Sequence, residues 1–85
     1  MKSKHQTVKQ IAEYTVTIHA AQEGGFWAEA PALPGCFSQG ETIEETLKNT
    51  REAIEAHLQA LNKEGAEIPM DRDIIIGRVS VAAMI

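Results

Sequence analysis

The sequence has a single cysteine, few aromatic residues, no long apolar run and no excess of positive charge. One cysteine, Cys36, excludes an internal disulfide framework. No stretch approaches the ~20 apolar residues that a membrane span needs, and the N-terminus lacks the apolar segment of a signal peptide. We therefore expect a cytoplasmic protein without a membrane partner. The net charge of −4 argues against direct nucleic-acid binding, because phosphate contacts need a basic face.

The length and composition indicate one small globular domain. The chain has 85 residues, of which 44% are hydrophobic and 24% charged, as in ordinary globular proteins. A domain of this size buries only about 60–65% of its surface on folding, so subunit contacts commonly supplement its core. Residues 1–12 carry three lysines and no acid. We expect them to form a flexible basic arm, and residues 13–85 to form a single domain.

Two short strands and a tight turn are predicted in the first third of the chain. From Tyr14 to Ala20 the residues alternate between apolar and polar, which is typical of a half-buried strand. Residues 26–30 alternate again, with Trp27 opposite Phe26, and the turn before them contains Gly24 and Gly25. The pattern predicts a β-hairpin closed by the two glycines.

A constrained corner separates the hairpin from a third strand at residues 36–38. Pro31 and Pro34 fix φ and remove two backbone donors. Gly35 can adopt positive φ without steric cost. Because no nucleophile with an adjacent base lies in it, we interpret the corner first as a device of the fold and second as a recognition surface.

One amphipathic helix is predicted from about Ile43 to Lys63. Thr42 and Glu45 have the spacing of a capping box, in which the Glu45 carboxylate would reach back to the Thr42 amide. Gly65 is the expected stop. The apolar positions recur at helical spacing: Ile43, Leu47, Ile54, Leu58 and Leu61.

A fourth strand is predicted at residues 74–81, a run rich in β-branched residues. The element order is then β-β-β-α-β. This order predicts an α+β fold in two layers, with one long helix packed on a mainly antiparallel sheet. The tail from Val81 is apolar to its end, so it should be buried either in the monomer or, as we expect, at a subunit contact of a homo-oligomer, dimer or tetramer. Its expected interface is Trp27, Ile75, Val79, Val81, Met84 and Ile85.

Residue types that could carry chemistry do not form a recognisable site. The spacing of His19, Cys36 and His57 matches no zinc pattern. Cys36 is interpreted as a small buried hydrophobe. Carboxylates are sparse on the strands, where Glu29 stands nearly alone, whereas a two-metal nuclease needs several that converge. We expect no enzyme activity, no cofactor and no metal.

Several segments together resemble the HicB antitoxin family. They are the strand of residues 14–18, the corner P-A-L-P-G-C at residues 31–36, the join Q-G-E-T at residues 39–42 and the helix that follows. The resemblance covers roughly residues 14–68. It implies a partial ribonuclease-H-like β-β-β-α-β fold and no catalytic residues. It also implies a partner, since full-length antitoxins of this family cover the active site of HicA, a small basic ribonuclease.

The resemblance and the charge pattern suggest how such a partner would be bound. The N-terminal lysines contrast with nine glutamates between residues 23 and 67, so an acidic surface could meet a basic toxin. The expected contact residues are Trp27, Glu44, Glu45, Glu52 and Glu55, and neutralising the four glutamates should weaken binding. Many family members carry a further DNA-binding domain, which we do not expect here because the sequence stops at Ile85. The alternatives are an orphan homo-oligomeric binding or scaffold protein and a divergent RNA-processing enzyme.

Overall fold

A computed structural model describes residues 11–84, and within them the chain forms three strands and one helix. The strands are β1 (Thr17–Ala20), β2 (Phe26–Glu29) and β3 (Phe37–Gly40), and the helix is α1 (Ile43–Lys63). The predicted α+β class is confirmed. Residues 1–10, which include most of the predicted basic arm, lie outside the described part. Across that part, no helix combines the length and hydropathy that crossing a bilayer requires.

The sheet is antiparallel in the order β1-β2-β3. Residues 21–25 join β1 to β2, and both glycines of this turn have positive φ, as predicted. The amide of Ala21 donates to the Gly25 carbonyl at 3.0 Å, which closes the hairpin. Residues 18, 28 and 38 stand side by side in the register, and so do residues 19, 27 and 39. Because neighbours in a strand point to opposite faces, these two rows lie on opposite sides of the sheet.

The corner between β2 and β3 supplies most of the core. The amide of Ala30 donates to the Cys36 carbonyl, and the amides of Leu33 and Cys36 donate to the carbonyls of Ala30 and Leu33. These bonds fold the corner back on itself, with Gly35 at φ 86°. Leu33 is fully buried and Cys36 is 4% exposed. The corner therefore has a structural role in the fold, as its proline and glycine content predicted.

Both ends of α1 are capped. At the N-terminus the Thr42 hydroxyl accepts from the amide of Glu45 at 3.0 Å, as predicted. The Glu45 carboxylate, however, accepts from the amide of Glu41 at 2.6 Å rather than from Thr42, one residue further out than expected. At the C-terminus the amides of Gly65 and Ala66 donate to the carbonyls of Asn62 and Leu61, which is the Schellman arrangement.

The helix packs on the sheet through its small residues. Thr46 and Thr50 are buried, and their hydroxyls donate to the carbonyls four residues earlier, at 2.7 and 2.6 Å. These bonds satisfy the hydroxyl groups without a partner from the sheet. The predicted apolar stripe is buried only in part, since Ile43 and Leu47 remain 49% and 44% exposed. The helix lies over β2 and β3 and leaves the inner side of β1 less covered.

The predicted fourth strand is not formed in the described chain. Residues 66–84 have neither helix nor strand. The segment after the helix returns to the start of β1, where the Tyr14 hydroxyl donates to the Pro69 carbonyl at 2.6 Å. Beyond this contact residues 74–84 run exposed. The prediction was wrong here because a strand needs a ladder partner, and β-branched composition alone does not provide one.

Candidate functional site

The sheet face opposite the helix, here called the outer face, is formed by two rows of side chains. One row crosses the strands as His19, Trp27 and Gln39. The second crosses them as Thr17, Glu29 and Phe37. Alternation along each strand points all six side chains away from α1. The outward orientation of Trp27, expected from its position between Phe26 and Ala28, agrees with the burial of Ala28 on the helix side.

Two exposed aromatic rings dominate the outer face. Trp27 is 38% exposed and Phe37 is 64% exposed. The Trp27 ring stacks on the His19 ring with centroids 4.1 Å apart and an interplanar angle of 14°. His19 Nε2 lies 3.2 Å from the Thr17 hydroxyl and 3.8 Å from a Glu29 carboxylate oxygen. These contacts hold Trp27 in one orientation, so it is a rigid apolar anchor on the surface.

An open groove, here called the acidic groove, passes from the outer face across β3 to the beginning of α1. Its lining contains both exposed aromatic residues, Trp27 and Phe37. It also contains carboxylates from the hairpin turn, from β2 and from the helix start, and no lysine or arginine from residues 11–84. These carboxylates are Glu23, Glu29, Glu41 and Glu45. Aromatic anchors inside an acidic rim are suited to a basic protein surface.

The glutamates expected to bind a partner do not form one site with Trp27. Glu44, Glu52 and Glu55 are exposed on α1, on the helix side of the domain, whereas Trp27 faces out from the sheet. At 100° per residue the three lie within an arc of about 80°, and Lys48 lies among them. Glu45 does line the acidic groove beside Trp27. The predicted contact set is therefore divided between two surfaces.

The predicted oligomer interface is exposed where the structure describes it. Ile75, Val79, Val81 and Met84 are between 78% and 99% exposed in the segment that follows the helix. Ile85 lies outside the described residues. All four are large apolar side chains in one short stretch, which is unusual for the free surface of a soluble monomer.

The residues that could carry chemistry are spread over the domain. No group of three or more His, Cys, Asp or Glu side chains in this range could hold a metal ion. Cys36 is buried, and its burial raises the pKa of the thiol, which disfavours the nucleophilic thiolate.

Sequence reasoning missed part of the acidic groove. Phe37, Gln39, Glu23 and Glu41 were not selected, although they lie beside Trp27 in the fold. The alternation of Phe37 and Gln39 with Ser38 was visible in the sequence. Their proximity to Trp27, however, depends on the strand register, which cannot be predicted from a local sequence pattern.

Comparison with known proteins places this surface in context. Residues 14–78 match the model of a family described as the HicB-like antitoxin of bacterial toxin–antitoxin systems. The chain is 41% identical over 75 residues to a UPF0150 protein of Synechocystis sp., a match that spans 88% of this chain and 94% of that protein.

Two solved structures are similar in both fold and sequence. The first is the N-terminal domain of the Burkholderia pseudomallei antitoxin HicB, with a TM-score of 0.59 and 34% identity. That match covers 65% of each chain, slightly less than two thirds. The second is a chain of a HicA3 and HicB3 toxin–antitoxin complex, with a TM-score of 0.60 and 36% identity over 71% of this chain and 70% of that one.

Proposed function

This chain belongs to the HicB-like antitoxin family of bacterial toxin–antitoxin systems, and we propose that it is an antitoxin that binds and neutralises a small basic ribonuclease toxin. The family and the fold are typical of a non-enzymatic protein. The similarity to a chain of a toxin–antitoxin complex supports a protein partner. The observation that carries the proposal is the acidic groove, in which Trp27 and Phe37 lie among the carboxylates of Glu23, Glu29, Glu41 and Glu45.

The acidic groove is the proposed contact surface. Trp27 is held by its stack on His19, so little side-chain freedom remains to be lost on binding. Glu23, Glu29 and Glu41 surround it and would meet the cationic groups with which a ribonuclease binds RNA. An antitoxin seated there would compete with RNA for the same basic surface of the toxin.

The glutamates of α1 have a different part in this proposal. Glu44, Glu52 and Glu55 lie on the helix side, away from the outer face. Their charges add to the negative field that attracts a basic toxin from a distance, but a toxin seated on Trp27 would not touch them. Neutralising them should therefore weaken binding less than neutralising the carboxylates of the acidic groove.

The first experiment is co-expression of this chain with the product of its neighbouring small gene. We expect a stoichiometric complex by light scattering, together with loss of the RNA-cleaving activity of the neighbouring product. Trp27→Ala should weaken the complex by at least ~30-fold, since an anchoring tryptophan contributes roughly 2 kcal/mol or more. Absence of a complex, or a complex that still cleaves RNA, would refute the antitoxin function.

Matched charge variants identify the contact surface. The triple variant Glu23→Gln, Glu29→Gln and Glu41→Gln removes three charges from the acidic groove. The control triple, Glu44→Gln, Glu52→Gln and Glu55→Gln, removes three charges from α1. We expect the first to weaken binding about tenfold, at several tenths of a kcal/mol per exposed pair, and the second to have a smaller effect. The reverse order would place the toxin on the helix.

A homo-oligomeric binding protein without a toxin partner is the second candidate function. It is favoured by the exposure of the apolar side chains in residues 74–84, which toxin binding at the outer face would leave uncovered. A chain that self-associates but does not bind its neighbouring gene product would support this candidate over the antitoxin.

A further inference from the structure

Residues 74–84, here called the apolar arm, are the largest exposed apolar feature of the described chain. Ile75 is 92% exposed, Val79 is 89% exposed and Met84 is 99% exposed. The arm forms neither helix nor strand, yet its residues favour extended structure. Exposed apolar side chains in a contiguous segment are unfavourable in water and mark an interaction site.

The root of the apolar arm is fixed beside the start of β1. The Thr15 amide and hydroxyl donate to the two Asp71 carboxylate oxygens at 2.9 and 2.8 Å. The Tyr14 hydroxyl donates to the Pro69 carbonyl at 2.6 Å. The arm therefore leaves the domain next to an edge of its sheet without pairing with that edge.

The two edges of the sheet differ in what covers them. At β3, the Asn49 side-chain amide donates to the Gln39 carbonyl at 2.8 Å, and α1 lies so close that Gly40 has no room for a Cβ atom. Among residues 11–84 neither β1 nor β3 has a strand on its outer side, but α1 packs beside β3 and not beside β1. β1 is thus the open edge, with backbone groups available for another strand.

A mainly apolar groove, here called the side groove, lies between residues 11–16, which lead into β1, and α1, and its lining also includes Arg51 and Glu55. Val16 from the β1 side faces Leu47 and Ile54 of the helix across it. Ile18 and Leu47 are still 36% and 44% exposed. A strand added to the β1 edge would direct every second side chain toward the helix layer, beside Ile18 and next to the side groove.

The apolar arm has the pattern that such a strand requires. Over residues 77–81, Val79 and Val81 share one side of an extended chain, whereas Arg78 and Ser80 share the other. Ile75 continues the first side, and Ile74 and Ile76 add apolar surface to the second. The first side would face the helix layer and the second would face away from it. Fully extended, the arm spans about 36 Å, which is longer than β1.

We propose that the apolar arm of one copy pairs as a β-strand with the β1 edge of a second copy, and that the exchange is reciprocal. A two-fold dimer of this kind uses both arms and both β1 edges, so the exchange between the two copies is closed. The occupant of the β1 edge is then a second copy of this chain. The outer face with Trp27 stays outside this contact, so the inference does not depend on the antitoxin function.

The test compares two variants that introduce the same charge on opposite sides of the arm. Val79→Asp places a carboxylate on the side predicted to face the helix layer, and the control Ser80→Asp places one on the side that faces away from it. Light scattering on the full chain should give twice the 9.3 kDa chain mass for the wild type and Ser80→Asp. Val79→Asp should give the single-chain mass. A monomeric wild type, or an oligomer that Val79→Asp leaves intact, would overturn the proposal.

A second measurement locates the arm. In an equal mixture of two differently isotope-labelled preparations, isotope-filtered NMR contacts should connect residues 74–81 of one copy with residues 17–20 of the other. Amide exchange should slow at residues 17–20 on dimer formation and stay unchanged at residues 37–40. Contacts between the arm and β1 within a single copy, or protection at β3 instead, would contradict the exchange between copies.

Discussion

Asp71 connects the segment after the helix to the start of the sheet through one residue, Thr15. The two hydrogen bonds from Thr15 favour the charged carboxylate, and the bond from its amide is the larger cause of the lowered pKa of Asp71. Because the pKa of Asp71 is lower in the folded than in the unfolded state, the contact contributes its full stabilisation at pH values above the unfolded-state pKa. The stabilisation is lost as the pH falls through the folded pKa.

We predict an acid transition at this contact that follows Asp71 alone. The Thr15 amide resonance should shift with an apparent pKa below 3.8, the ordinary value for aspartate, as the carboxylate becomes protonated. Asp71→Asn should remove the transition. The control Asp73→Asn, two residues further along, should retain it. A transition at or above 3.8, or one that persists in Asp71→Asn, would contradict the assignment.

The join between β3 and α1 depends on the absence of a side chain at one position. A Cβ atom at Gly40 would lie 2.7 Å from the Thr46 amide nitrogen and 3.0 Å from the Thr46 Cα atom. Both are backbone atoms of the helix, so the helix itself would have to move. Overpacking of this kind typically costs about 1–3 kcal/mol.

We therefore predict that Gly40→Ala lowers the free energy of unfolding by about 1–3 kcal/mol, measured by urea denaturation at a fixed protein concentration. Gln59→Ala is the control, since Gln59 is exposed on α1 and lies outside the proposed dimer contact, and it should change stability by less than about 0.5 kcal/mol. Equal stability of the two variants would show that the helix is not held against β3 as described.

Elements with local signals could be predicted from the sequence, whereas those that depend on a distant partner could not. The helix from Ile43 to Lys63 agrees with its predicted bounds, because its cap and its Gly65 stop lie within the segment itself. The hairpin follows from its alternation and its two glycines. Residues 74–81 also have high β propensity. In the structure of the single chain, however, their backbone groups do not pair with another strand.

At the scale of the whole molecule, sequence patterns selected candidate binding residues without placing them together. Trp27, expected on the side of its strand opposite to Phe26, lies on the outer face. The glutamates of α1 were grouped with it because both features suit a basic partner, but the two-layer architecture puts Glu44, Glu52 and Glu55 on the other side. The acidic groove instead combines residues from the turn, β2, β3 and the helix start, and only the register and the packing bring these together.

The net charge of −4 and the acidic groove lead to a prediction about how the proposed toxin complex forms. Attraction between a basic toxin and this chain acts over a distance set by the Debye length, about 10 Å at 0.1 M salt and about 3 Å at 1 M. The association rate measured by stopped flow should therefore fall steeply with salt, whereas the dissociation rate changes little.

Neutralising Glu23, Glu29 and Glu41 should make the association rate depend less on salt. Trp27→Ala should instead raise the dissociation rate and leave the salt dependence unchanged, because its contact is apolar. An association rate that does not change with salt concentration would show that the acidic surface does not accelerate association electrostatically.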